Sequence, residues 1–171
     1  ALVQSLPPGV ERVAVFLHPA QSLLDEVLSA ISPDWVQTDA EDLSALVLPA
    51  GQRVLPVLRG GRAQPSLPLI DLRATAGRSH PRCLFEAGRS GAGERADWQE
   101  AARLARRCRL VLAGGLDAAN VAEAVAAVRP FGVDVSSGVE RERGVKDAAR
   151  IREFVRAARA AGRGLSPEES T

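Results

Sequence analysis

The sequence predicts a parallel β/α fold, most simply a (β/α)8-type barrel, and three observations lead there. Six short β-rich runs alternate with amphipathic stretches or loops along the 171 residues, and parallel neighbours require crossover connections of that kind. The spacing averages about 28 residues, close to one unit of an eight-unit barrel of roughly 250 residues. Two strand ends in the C-terminal third, Gly114-Gly115 and Ser137-Gly138, are rich in glycine and hydroxyls, and barrels frequently bind phosphate with their last two loops. An open flavodoxin-like sheet is the competing architecture on pattern alone.

Each element has its own signal. Arg12–Leu17 is a continuous apolar run after Pro7-Pro8-Gly9, which predicts a strand buried on both faces. Leu23, Leu24, Val27, Leu28 and Ile31 recur at helical spacing, with Pro33 as the stop. Trp35–Asp39 is the second strand, followed by a brief apolar segment near Leu43–Leu48. Arg53–Leu58 is the third, weakened by Pro56, which cannot donate to a ladder. Arg82–Glu86 is the fourth, and Asp97 is placed to cap a helix over Trp98–Arg107, with Glu100 at its third position. Arg109–Ala113 is the fifth strand, and Asp117 precedes an alanine-rich helix through about Val128, stopped by Pro130. Gly132–Ser136 is the sixth. The last helix runs from Asp147 to about Ala161, with Ile151, Phe154, Val155 and Ala158 on one face.

Composition narrows the function classes. With 46% hydrophobic and 25% charged residues the chain reads as globular, and its length suggests one domain. Lysine plus arginine number 22 against 21 acidic residues, a net charge of +1, so no electrostatic footprint for nucleic acid or an anionic membrane is expected. Two cysteines, Cys83 and Cys108, and two histidines, His18 and His80, are too few for a structural zinc site. No cofactor, metal or membrane span is expected, and the cytoplasm is the expected compartment.

The residues themselves describe an anion site. Gly114-Gly115 after a buried strand lets backbone approach a ligand closely, and the following helix presents unpaired N–H groups. Ser136-Ser137-Gly138 offers hydroxyl and amide donors of the same kind. Together they can form a phosphate cradle without lysine.

The runs Leu110–Val121 (Leu-Val-Leu-Ala-Gly-Gly-Leu-Asp-Ala-Ala-Asn-Val), Phe131–Glu140 (Phe-Gly-Val-Asp-Val-Ser-Ser-Gly-Val-Glu) and Gly144–Asp147 resemble the phosphoribosylanthranilate isomerase family. A weaker match covers Cys83–Ala87 through Gly91-Ala92-Gly93 to Asp97-Trp98, and the weakest covers Arg12–Leu17 and Val36-Gln37. The resemblance implies a TIM (β/α)8 barrel that performs an Amadori rearrangement in tryptophan biosynthesis, with a small phosphosugar as substrate. It implies Gly114, Gly115, Ser137 and Gly138 as phosphate-binding residues, Asp134 as a residue facing the substrate, and Gly91 and Gly93 in a mobile loop. The family's acid is an aspartate ending its sixth strand; Glu86 stands there, its carboxyl displaced by about one bond length. The family's base is a cysteine after its first strand, and neither Cys83 nor Cys108 matches it; both read as small buried hydrophobes. The family's Gln-Leu-His-Gly reads Gln37-Thr38-Asp39-Ala40, Pro56 replaces its strand-five lysine, and His18 reads as a polar residue at a helix entry.

The chain begins at Ala1 and contains no methionine, and its first residues read as the last turns of a helix. Aligned on the resemblance, the first visible strand is the family's third. The expectation is therefore strands 3–8 present and strands 1–2 missing, with 1–161 one partial-barrel domain and 162–171 a polar tail. A degenerate, non-catalytic phosphate-binding module and another phosphosugar-handling barrel enzyme are the alternatives.

Overall fold

Residues 6–61, 82–88 and 95–164 are described in the computed structural model. They fall into two units, Ala1–Leu58 with Gln64–Arg82 and Arg59–Ala63 with Cys83–Thr171. The expected helix remnant at Ala1–Ser5, the loop glycines Gly91 and Gly93, and His80 lie outside the described residues.

The first unit contains β1 (Val13–Val15), α1 (Gln21–Ile31), β2 (Trp35–Asp39), a 3-10 turn (Asp42–Ser44) and β3 (Arg53–Arg59), whose last residue belongs to the second unit. The three strands lie side by side in chain order and all pair in parallel, with Val13 opposite Trp35 and Trp35 opposite Arg53. Helix α1 buries Leu24 and ends where Ser32 turns left-handed, its N–H donating to the Leu28 carbonyl ahead of Pro33. Pro56 does not interrupt β3, in which every residue from Val54 to Arg59 is buried. The Val57 carbonyl accepts from Ala40 N–H at 3.0 Å. Bonding direction alternates along a strand, so the nitrogen of Pro56 is turned away from β2 and no β2–β3 bond is lost.

The first strand departs from expectation. Ala14 is buried, but Val13, Val15 and Leu17 are exposed, Val15 by 66%. A continuous apolar run implies cover on both faces, and nothing described in this unit packs over the face that Val13 and Val15 share.

The second unit contains β4 (Arg82–Glu86, from Cys83 onward), α2 (Trp98–Ala105), β5 (Arg109–Leu112), α3 (Val121–Val128), β6 (Gly132–Val133), a 3-10 turn (Ser137–Val139), the antiparallel pair β7 (Glu140–Glu142) and β8 (Val145–Lys146), and α4 (Ala148–Arg163). The order β4-β5-β6 again follows the chain, and its core joins Leu84, Phe85, Leu110 and Leu112 to Ala101, Val121, Ala124 and Phe154. Asp97 caps α2 as expected, accepting from Gln99 and Glu100 N–H at 2.8 and 3.1 Å. Asp147 caps α4 in the same way.

Three boundaries differ from the sequence reading. Helix α3 starts at Val121, because Asp117 and Asn120 use their side chains on each other's backbone N–H and hold 117–120 as a turn. Strand β6 is two residues long rather than five, and the chain beyond it turns into the 3-10 segment and the β7–β8 hairpin, which no periodicity signalled. Helix α4 continues to Arg163, and of its apolar face only Phe154 is buried while Ile151 and Val155 are exposed.

The strand starts of the first unit are tied by charge. Glu11 accepts from Arg53 Nη1 at 2.5 Å and from Trp35 Nε1 at 3.0 Å, and Asp34 accepts from the backbone N–H and Nε of Arg12 at 2.7 and 3.3 Å. The Arg53 and Arg82 guanidiniums lie 4.6 and 4.8 Å from the Trp35 ring centroid. The Arg53 hydrogen bond, then that from Trp35, holds Glu11 below its ordinary pKa of 4.5, and the Arg12 backbone bond holds Asp34 below 3.8. Carboxylates depressed in the folded state stabilise above their unfolded pKa and lose that contribution as pH falls through the folded one. Stability in urea should therefore be level down to about pH 5 and fall below it. In Glu11→Gln/Asp34→Asn that acid slope should be visibly shallower; an unchanged slope would show that other groups drive acid unfolding.

Candidate functional site

Parallel pairing brings the candidate residues of the second unit to the same ends of neighbouring strands. Ala113 N–H donates to the Phe85 carbonyl and Asp134 N–H to the Leu112 carbonyl, both at 2.8 Å. Glu86, Gly114 and Asp134 thus follow one another across the C-terminal rim of β4, β5 and β6.

The two glycine-bearing loops meet there. Gly114 and Gly115 have φ of +89° and +62°, backbone that glycine adopts without penalty. Asn120, quoted above only as part of a motif, braces this turn by donating from Nδ2 to the Gly115 carbonyl at 2.8 Å while its Oδ1 accepts from Asp117 N–H at 3.0 Å. Opposite lies Gly138. A Cβ on Gly138 would stand 1.9 Å from the Leu116 carbonyl oxygen, so this close approach of the two loops requires glycine. Gly138 thus lies against Leu116, the residue that follows the Gly114-Gly115 pair.

Glu86 lies at the end of β4, its side chain 17% exposed, and is ion-paired through Oε1 with Nη1 of the buried Arg59. Gly60 N–H donates to the Glu86 carbonyl at 2.9 Å, which fixes the Arg59 backbone beside it. Sequence reasoning missed Arg59, because one arginine ending a strand carries no pattern until its partner is known. Burial pushes the Asp134 carboxyl above the ordinary aspartate range, against the opposing charge of Lys146. Lys146 was also unassigned; its ammonium donates to the Ser136 carbonyl and Oγ at 2.9 and 3.0 Å and to Glu140 Oε1 at 2.7 Å.

Cys83 and Cys108 are buried and free, Cys83 at the opposite end of β4 from Glu86 and Cys108 just ahead of β5. A hydrogen bond with Cys108 and then burial push the Cys83 thiol upward, which suppresses nucleophilic thiolate. In the first unit His18 Nδ1 is 2.9 Å from Asp42 Oδ1 and Nε2 is 3.6 Å from Asp39 Oδ2. Among the described residues this is the one group of potential metal ligands, with one donor atom from each of His18, Asp39 and Asp42 within 4.8 Å of the others. Burial opposes ionisation of Asp42, but bonds from His18 and Thr38 outweigh it and lower its pKa.

Comparison with known proteins identifies the family and supports the fold. The family model described as N-(5'-phosphoribosyl)anthranilate (PRA) isomerase matches residues 2–157. The N-(5'-phosphoribosyl)anthranilate isomerase of Roseiflexus castenholzii is 64% identical over 163 residues, covering 91% of this chain and 73% of the relative. Among solved structures, phosphoribosyl anthranilate isomerase from Thermotoga maritima superposes with a TM-score of 0.72 at 28% identity, over 93% of this chain and 78% of that one. A phosphoribosyl anthranilate isomerase in complex with reduced 1-(o-carboxyphenylamino)-1-deoxyribulose 5-phosphate superposes with a TM-score of 0.68 at 27% identity, over 93% and 76%.

Two substitutions test the geometry. Gly138→Ala should cost about 2 kcal/mol, because the loops must separate to admit the methyl group. Arg59→Met should cost about 3 kcal/mol by leaving Glu86 without its partner, and adding Glu86→Gln should recover part of that loss. Urea unfolding midpoints measure both; additive losses in the double variant would mean that Arg59 and Glu86 are not coupled.

Proposed function

The chain belongs to the N-(5'-phosphoribosyl)anthranilate isomerase family, and we propose that it acts on the phosphosugar substrate of that family, converting N-(5'-phosphoribosyl)anthranilate to 1-(2-carboxyphenylamino)-1-deoxyribulose 5-phosphate. In this reading β1–β6 correspond to the third to eighth strands of a TIM barrel. The observation that carries it is the meeting of the two glycine loops at Gly138 and Leu116. A phosphate needs several N–H and O–H donors converging from short range, and a backbone contact this close supports such a cradle from Gly114, Gly115, Ser137 and Gly138.

The chemistry is a proton relay. A proton delivered to the ribosyl ring oxygen breaks the C1–O bond and leaves a Schiff base. Removal of a sugar proton then gives an enolamine, which tautomerises to the ketone. Glu86 is assigned the acid role, since it ends β4 one strand from Gly114. Its pairing with Arg59 fixes the carboxyl at the rim, and the ring oxygen competes with that guanidinium for it. Asp134, at the end of β6, is assigned to a substrate hydroxyl, from which its carboxylate can accept a hydrogen bond. The burial of Cys83 and Cys108 at the other ends of the strands supports leaving both out of the proton transfer.

Loss of anthranilate fluorescence follows the reaction. In a version that carries the family's cysteine base, which takes the sugar proton, Glu86→Gln should lower kcat about 100-fold or more, the contribution of one general acid, whereas Glu86→Asp should retain or raise it. Near-normal turnover by Glu86→Gln would remove the assignment. Separately, inorganic phosphate should bind the protein, and Gly115→Val should weaken it about 100-fold, because a β-branched residue is strained at φ +62°. Phosphate binding without turnover would instead favour a binding module that has lost catalysis.

A further inference from the structure

The turn carrying Ser137 and Gly138 is held locally, by Val139 N–H donating to the Ser136 carbonyl at 3.4 Å and Glu140 N–H to the Ser137 carbonyl, and also from a distance. Ser136, which leads into it, has φ −122° and ψ −80°, outside both the helical and the extended regions. Its carbonyl and hydroxyl are both held by Lys146, ten residues later and across the β7–β8 hairpin. The same ammonium donates to Glu140 Oε1 at 2.7 Å, so all three of its N–H donors have acceptors. Glu140 is itself fixed, its other oxygen accepting from Gly144 N–H at 3.1 Å, its backbone carbonyl from Arg150. The Glu140 side chain is 15% exposed, that of Lys146 45%.

We propose that Lys146 is a positioning residue for the phosphate site: clamped by Glu140, it fixes Ser136 and thereby sets Ser137 and Gly138 against the Gly114-Gly115 loop. This rests on the reading that the two loops hold phosphate. The role is geometric rather than that of a counter-ion, for the ammonium is already fully engaged by three oxygens. Removing Glu140 separates the two. By charge alone, taking away a carboxylate beside an anion site tightens phosphate binding; by geometry, it frees Lys146 from Ser136 and weakens binding.

Titration calorimetry of the full chain with inorganic phosphate decides, with amide hydrogen exchange at Ser137 and Gly138 as a ligand-free readout. Wild-type protein that binds no phosphate would overturn the two-loop reading and this inference with it. With wild-type binding in hand, Lys146→Gln should bind about tenfold more weakly and Glu140→Gln several-fold more weakly, both with faster exchange at the two amides. Lys146→Arg keeps the charge, but its planar fork cannot set one nitrogen against three acceptors, so it should also bind less tightly than wild type. Should Lys146→Gln fail to fold, Glu140→Gln and Lys146→Arg carry the test. Equal or tighter binding by Glu140→Gln, or full affinity in Lys146→Arg, would overturn the clamp.

Discussion

The hydrogen bonds from Ala113 to Phe85 and from Asp134 to Leu112 fix the level at which β4, β5 and β6 end. Everything functional in the second unit depends on that level. A parallel ladder sends all its strands toward the same rim, so the residue following each strand's last bond projects beside that of its neighbour. A change of register by one residue would turn Glu86 or Asp134 to the other face. It would also move the Leu116 carbonyl away from Gly138, where the two loops now touch.

On that frame the described residues around the proposed site are paired charges and backbone donors. Arg59 is spent on Glu86, and Lys146 on Ser136 and Glu140. Among the described residues, what the proposed site then offers a ligand is peptide N–H, serine hydroxyl and the Asp134 carboxyl, which desolvation holds above the ordinary aspartate range. Such a set suits a phosphate ester bound through hydrogen bonds, and it agrees with a chain carrying a net charge of only +1. The first unit uses charge differently. Glu11, Asp34, Arg12 and Arg53 tie together the beginnings of the strands, and the His18–Asp42 pair joins the residue shortly after β1 to the turn after β2.

Much of this was legible before any coordinates. The strands Trp35–Asp39 and Arg82–Glu86 and the cap Asp97 were readable because each has a local signal, a short β-rich run or a capping residue ahead of a helix. The two glycine loops were readable because glycine at a strand end has few other reasons to be there. The exposed face of β1 was not, since an apolar run gives hydrophobicity but not what covers it. Nor was the intact β3 through Pro56, because the direction in which a missing N–H would have pointed depends on the partner strand.

Sequence by itself determined the alternation of strand and helix, the parallel pairing it requires, the helix caps, and the identity of the loops that carry glycine and serine. Periodicity and capping are properties of local backbone geometry, and a chain displays them in order along its length. Tertiary structure alone decided which groups those loops meet: Arg59 against Glu86, Asn120 against Gly115, Lys146 against Ser136, Gly138 against Leu116. The Arg59 contact spans 27 residues and is set by strand register, while the Lys146 contact spans ten and is set by a hairpin with an irregular register. Neither is encoded in the spacing of residue types, because a charged side chain has the same signature in the sequence whether it points to solvent or to a partner that folding brings beside it.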